Sequence, residues 1–151
     1  MPEIKCGFND TPQGKGSSLL TLYGPTLKVN IGFDPNFRPE TGAIPVVGIS
    51  DVDALVDTGA TECCIDNQLA AILKLPIMDK RQISGIAGKH MTNMYLAQIS
   101  VPSLKFNIYG AFAGVDLLAG GQIHKALIGR TFLQFFTMIY EGKTGTVTLS
   151  S

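Results

Sequence analysis

The chain has 151 residues, about one domain, and is long enough to bury roughly two-thirds of its unfolded surface. Apolar residues make up 45% and charged residues 16%, which excludes a disordered chain. Twelve basic residues balance twelve acidic ones; without a basic surplus a nucleic-acid partner is not expected, and a net charge of zero favours self-association.

No apolar run approaches the eighteen or so residues of a membrane span, so none is expected. The start, Met-Pro-Glu-Ile-Lys-Cys, lacks the basic-then-apolar pattern of a secretory signal. Three cysteines, Cys6, Cys63 and Cys64, do not form a disulfide framework. Reduced thiols and a cytoplasmic setting are the expectation. There is no C-x-x-C, and His90 and His124 are far apart, so neither metal nor cofactor is expected.

Residues 1–25 hold seven Gly or Pro and read as a flexible arm or a pro-segment, leaving 26–151 as the folded domain. Leu27, Val29, Ile31 and Phe33 alternate with polar or small residues, as in a half-buried strand. Two apolar runs, 44–49 and 52–56, surround Ser50-Asp51 and suggest a hairpin whose second strand leads into Asp57. Asp66 is a candidate N-cap. Leu69, Ala70, Ile72 and Leu73 form a helical stripe that Pro76 ends. A glycine-bearing tip at 84–88 lies between two apolar segments, as in a mobile hairpin. Further strands are expected at 95–101, 104–112, 134–140 and 145–149. This pattern predicts a mostly β protein with a short helix or two. His90 and His124 read as solvated turn residues, and Phe132, Phe135, Phe136 and Tyr140 as core.

The segment Ala54-Leu55-Val56-Asp57-Thr58-Gly59-Ala60 carries the chemistry. An apolar strand delivers one carboxylate, and burying such a group is costly unless it is hydrogen-bonded. Gly59 lets the chain turn and bring a backbone N–H toward Asp57, and the Thr58 hydroxyl can tie the loop down. A surface β-turn would show the same residue types. The apolar setting of Leu55, Val56, Ala60 and Ile65 argues for more than a turn.

This stretch resembles the active-site loop of aspartic proteases. Ala126-Leu127-Ile128-Gly129-Arg130-Thr131-Phe132-Leu133 resembles the second apolar-apolar-Gly loop and following helix of retropepsins. The glycine tip falls where a retropepsin flap lies. The three matches span roughly residues 27–149. The resemblance implies a single-domain closed β-barrel of the retropepsin-like kind and an aspartic endopeptidase activity.

That activity needs two carboxylates sharing a proton, and the chain has one Asp-Thr-Gly and no Asp-Ser-Gly. The resemblance therefore implies a C2 homodimer with Asp57 from each subunit at the axis. It makes Asp57 catalytic and has Thr58 hydrogen-bond to the other subunit's loop. It places Gly59 against the substrate backbone. Gly85, Ile86 and Gly88 become the flap over an extended peptide. Ala60, Leu127 and Ile128 become apolar lining, with Gly129 and Arg130 structural. In retropepsins the chain ends often interleave into a shared sheet, a role open to 146–149.

One departure stands out. The retroviral partner of the second-loop arginine is an aspartate; that position is Thr61 here, followed by Glu62. Arg130 is left to pair with Glu62, with backbone carbonyls, or with nothing similar. Two other functions compete. One is a catalytically silent dimerisation or peptide-binding domain. The other is a phosphatase using Asp51 and Asp53, whose fold would need alternating strands and helices.

Overall fold

The computed structural model describes residues 2–41, 44–46, 48–85 and 88–151. Strand β2 (Thr26–Gly32) sends Leu27, Val29 and Ile31 inward, all fully buried, as the alternation predicts. It pairs antiparallel with β3 (Ile49–Val56), whose inward residues are Val52, Ala54 and Val56. The expected break at Ser50-Asp51 is not a turn. Asp51 takes φ +57° and its N–H donates to Asn30 Oδ1 at 3.1 Å. The β2–β3 register shifts there, so an irregularity absorbs the kink and the strand runs on to Asp57. Ile44 and Val46 lie outside it and are exposed.

Beyond Asp57 come β4 (Cys64–Asp66) and helix α2 (Asn67–Ile72). The Asp66 carboxylate caps that helix through the N–H groups of Gln68 and Leu69, at 2.9 and 3.1 Å. Its other oxygen accepts from Leu117 and Leu118, both at 2.9 Å. Four backbone donors thus hold one fully buried carboxylate. β5 (Ile77–Gly85) and β6 (Gly88–Val101) form the glycine-tipped hairpin, with Gly85 opposite Gly88. A 3-10 turn, Pro102–Leu104, connects β6 to β7 (Phe106–Val115). β8 (Ala126–Ile128) precedes the single-turn α3 (Arg130–Leu133) and the final hairpin, β9 (Thr137–Glu141) and β10 (Thr146–Ser150).

The larger sheet has the order β2-β3-β8-β4-β7-β6-β5, and β2 pairs back onto β6. The first six strands therefore close a barrel, and β5 with the start of β6 projects from it. Val29, Ala54, Ile65, Ile99 and Ile128 fill the interior. Phe106, Phe132 and Phe136 pack edge-to-face and stacked at one end. Phe135 and Tyr140, expected with them, are exposed, because α3 ends before Phe135 and β9 turns Tyr140 outward. The mostly-β barrel expected from the sequence is observed. It does not supply the alternating strands and helices of the phosphatase reading: Asp53 is ion-paired to Lys28 at 2.5 Å, and Asp51 is exposed.

Within residues 2–25, two segments carry regular structure. β1 (Glu3–Lys5) pairs antiparallel with β10, and α1 (Gly16–Tyr23) follows. Cys6 and Leu20 are buried in the common core. The glycines that suggest looseness here serve close packing. A Cβ on Gly16 would run into the Phe8 carbonyl, and one on Gly145, which sits at φ +83°, would strike the Gly16 backbone. Leu20 is 1% exposed and Leu22 is 69% exposed. Leu20→Ala is expected to cost about 2–5 kcal/mol in urea unfolding, and Leu22→Ala less than about 0.5 kcal/mol. Equal, small effects would mean that the segment is not docked in solution.

Candidate active site

Asp57 follows directly on β3, where Val56 lies parallel to Ile128 of β8. Its N–H donates to the Ile128 carbonyl at 2.9 Å, so the catalytic-loop candidate starts as an extension of the sheet. The chain then turns back. Ala60 N donates to the Asp57 carbonyl at 3.2 Å, and Gly59 N to Asp57 Oδ1 at 2.9 Å. A Cβ on Gly59 would stand 3.1 Å from that oxygen. The glycine therefore does what the sequence suggests: it brings a backbone donor onto the carboxylate and holds one oxygen in place.

A second segment braces the turn. Arg130 N donates to the Ala60 carbonyl and Thr131 N to the Thr61 carbonyl, both at 2.9 Å. Gly129 lies so close beneath the loop that a Cβ would collide with the Glu62 carbonyl and stand 2.9 Å from that of Ala60. The Arg130 guanidinium donates through Nη1 to the Thr58 carbonyl at 2.6 Å and through Nη2 to Thr61 Oγ1 at 3.0 Å. Of the partners left open, Arg130 therefore takes a carbonyl, together with the hydroxyl that replaces the family's aspartate. Glu62 pairs instead with Arg81 of β5, at 3.2 Å.

An open cleft of about 420 Å³ lies between this loop and the projecting hairpin. Gly59, Ala60, Thr61 and Glu62 form its floor, with Cys64, Ala113 and the hairpin's Ile83 as walls. Ala60 lines it, as expected. Ile128 is fully buried in the core, and Leu127 is half-buried on the same short strand. Ile128 contributes its carbonyl to Asp57 rather than a side chain to the cleft. Thr58 is exposed. Gly88 sits at φ +103° with open space around it, opposite Gly85. Ile86, the expected flap-tip residue, lies outside the described residues.

Sequence reasoning missed Cys64, Ala113 and the Glu62–Arg81 pair. Ala113 comes from β7, and only the parallel β4–β7 pairing, Cys64 opposite Ala113, brings it here. No local pattern signals that. Burial, reinforced by the charges of Cys63, Glu62 and Asp57, pushes the Cys64 thiol up to about 12. That shift favours the thiol over the thiolate, the opposite of what activates a cysteine nucleophile.

A family model described as aspartyl protease matches residues 44–132. The chain belongs to the aspartyl protease family. Among solved structures it is similar to a retropepsin-like aspartic protease from Rickettsia conorii, at 13% identity and TM-score 0.51, over 97% of this chain and 89% of that one. It is also similar to EIAV protease complexed with the inhibitor HBY-793, at 21% identity and TM-score 0.47, over 74% of this chain and 86% of that one. No curated protein matches. The fold of this aspartyl-protease chain is retropepsin-like. No helix among the described residues is long and apolar enough to cross a membrane. No group of three metal-ligating side chains occurs among them either.

Buried titratable groups give the fold a definite pH window. His124, expected in solvent, is buried. The Thr26 hydroxyl lies 3.1 Å from the Gly24 carbonyl and 2.8 Å from His124 Nε2. The buried His124 Nδ1 has no partner. Burial lowers the imidazole from its ordinary 6.5, against a smaller opposing pull from Asp53. The unfolded chain takes up the proton first as pH falls, so stability is lost below about 6.5 and levels off beneath the folded value. Burial likewise raises the Cys6 thiol to about 11. Unfolded thiols ionise first as pH rises, so stability is lost from about 9 upward, through 11–12. Urea midpoints measured from pH 4 to 11 should show both limbs. His124→Gln should flatten the acid limb, and Cys64→Ala should reduce the alkaline one. A flat profile above pH 9 would contradict the thiol burial.

Proposed function

We propose that this chain is an aspartic endopeptidase that works as a homodimer, with Asp57 of each subunit sharing one proton. The observation that carries the reading is the Asp57 carboxylate held by the Gly59 N–H on a loop braced by Arg130. One subunit offers a single such group. Asp66 is consumed by four backbone donors, Asp53 by Lys28, and Asp116 accepts from Asn67 at 2.8 Å. A second copy supplies the missing carboxylate.

In the pair, two carboxylates about 3 Å apart cannot both ionise, so one proton is retained between them. The ionised member takes a proton from water as that water attacks the scissile carbonyl carbon. The protonated member hydrogen-bonds to the carbonyl oxygen and polarises it. The proton then passes to the leaving nitrogen, and the two carboxyls exchange roles. Thr58 is exposed where a neighbouring subunit's loop can accept its hydroxyl. Gly59 offers its backbone to an extended peptide lying in the cleft, with Ala60 below. The hairpin ending at Gly85, Ile86 and Gly88 closes over the peptide and excludes water.

Asp57→Asn keeps an oxygen for the Gly59 N–H and removes the shared proton. It is expected to lower cleavage of an unfolded protein or peptide library by at least about 10³-fold while leaving the unfolding midpoint nearly unchanged. Full activity in that variant would end this mechanism. Peptide binding by the wild type without any turnover would instead identify a silent binding domain.

The dependence of rate on pH follows from the pair. Only the singly protonated dyad is active, so kcat/KM should be bell-shaped with a mildly acidic optimum. The rate falls on the alkaline side as the second proton leaves. A rate still rising through pH 9 would exclude a carboxylate dyad.

A further inference from the structure

We propose that a pocket on the outer side of β6 and β7 binds a small apolar carboxylate whose oxygens reach Ser100 and Lys105. The pocket has a volume of about 330 Å³ and is lined by Ile44, Ser100, Pro102, Lys105, Phe106 and Asn107. None of these residues lines the cleft beside Asp57. The volume lies at the lower end of the range for small-ligand sites, which are mostly apolar with a few placed polar groups. The inference does not depend on the reading of Asp57.

The pocket exists because Ser100 points away from the barrel and is buried all the same. Ile99 and Val101 belong to the core, so alternation turns Gln98 and Ser100 to the outer face. Residues 34–41 and 44–46 pack over that face. Asp34 N donates to Gln98 Oε1 at 2.7 Å, and Gln98 Nε2 donates to the Asp34 carbonyl at 3.2 Å. Val46 N donates to Asp34 Oδ2 at 2.9 Å. Phe37 meets Tyr109 of β7 edge-on, with ring centres 5.7 Å apart. Gln98 is thus satisfied by the segment that covers it. Ser100, two residues on, is not: it is 2% exposed, and its Oγ has no hydrogen-bond partner. An unmet buried hydroxyl is costly, and this one lines the pocket.

The lining sets the ligand. Pro102 and Phe106 supply apolar wall, and Ile44, also apolar, is 62% exposed, a surface that an aliphatic chain would cover. The polar members are a hydroxyl, an amide and an ammonium, all able to donate. No acidic side chain lines the pocket among the described residues. The ion pairs among those residues, Lys28 with Asp53 and Arg81 with Glu62, leave Lys105 without an acidic partner. Lys105 is held at the end of the Pro102–Leu104 turn, where its N–H donates to the Pro102 carbonyl at 2.9 Å. Apolar walls, an unmet hydroxyl and an uncompensated cation in one pocket match an anion with an apolar body. A carboxylate can accept from Ser100 and Lys105 together, while its tail lies on Pro102, Phe106 and Ile44. An amine would be repelled by Lys105, and a sugar would leave the apolar walls unmatched.

The test titrates the full chain with octanoate and follows backbone amides by nitrogen–proton NMR. Octanol and octylamine present the same tail with no charge and with the opposite charge. Octanoate is expected to bind at least about tenfold more tightly than octanol and to move the amides of Ser100, Lys105 and Asn107, and octylamine is expected not to move them. Lys105→Gln and Ser100→Ala should each weaken octanoate about tenfold, and Lys105→Gln should leave octanol unchanged. Neither should lower the urea midpoint, since Lys105 is exposed and the Ser100 hydroxyl has no partner to lose. The proposal is overturned if these amides show no saturable shift, or if octanoate binds no better than octanol. It is equally overturned if both variants bind octanoate as the wild type does, or if the shifts are confined to Gly59–Glu62 in the cleft. Tighter binding of N-acetylalanylleucine than of octanoate would assign the pocket to a peptide chain end and overturn the free acid as its occupant.

Discussion

The site depends on the contact between the Asp57 loop and the Gly129–Thr131 segment, more than seventy residues apart in sequence. Without it, the seven residues between β3 and β4 would be fixed only where they leave and rejoin the sheet. With it, three carbonyls that face away from the sheet, those of Thr58, Ala60 and Thr61, receive donors from Arg130 and Thr131. The Gly59 N–H is then free to face the carboxylate. The contact requires a glycine at 129, because loop carbonyls occupy the space of its Cβ. It also requires the parallel pairing of β3 with β8, which sets Val56 beside Ile128 and brings the two segments level. Arg130 adds a fork of two donors that a lysine could not reproduce.

Much of this was readable from residue order. The alternation in β2, the Asp66 cap, the glycine-tipped hairpin and the Asp-Thr-Gly turn each arise from contacts within a few residues, and local patterns report local contacts. The errors share one cause. Gly7 and Gly16 suggest a flexible arm, yet each has backbone pressed against the space its side chain would fill. Composition does not distinguish a glycine that loosens a chain from one that permits close approach. Asp51 suggests a turn, but a neighbouring Asn30 side chain and a shift in register keep the strand continuous. His124 suggests solvent, but its position beside Thr26 is decided 98 residues away. The same applies to the cleft wall, where Ala113 arrives through strand pairing alone.

The chemistry left to the cleft is narrow. Cys64 is the obvious rival nucleophile, and burial among acidic neighbours favours its thiol over the thiolate. Glu62 is engaged by Arg81, a pair more than 40% exposed on both sides and worth less than about 1 kcal/mol. A contact that weak between the floor and the hairpin can form and break without controlling the fold. Ile83 from the hairpin and Ala60 from the floor face the same cleft. The apolar lining of the cleft is thereby divided between the barrel and the projecting hairpin.

The proposed two-carboxylate site poses a physical problem that one closed barrel does not solve. The barrel is rigid because its hydrogen-bond ladder returns on itself through β2 and β6. It cannot open to bring a second carboxylate from its own interior to the rim. Asp10, Asp34, Asp66 and Asp79 accept from backbone donors and Asp53 pairs with Lys28, all away from the Asp57 loop. Whatever completes the site has to come from outside the barrel and align to within a fraction of an ångström, since proton sharing fails when the carboxyls separate. Such precision is hard to obtain from a flexible loop. It is natural to a sheet, where backbone pairing fixes one chain against another residue by residue.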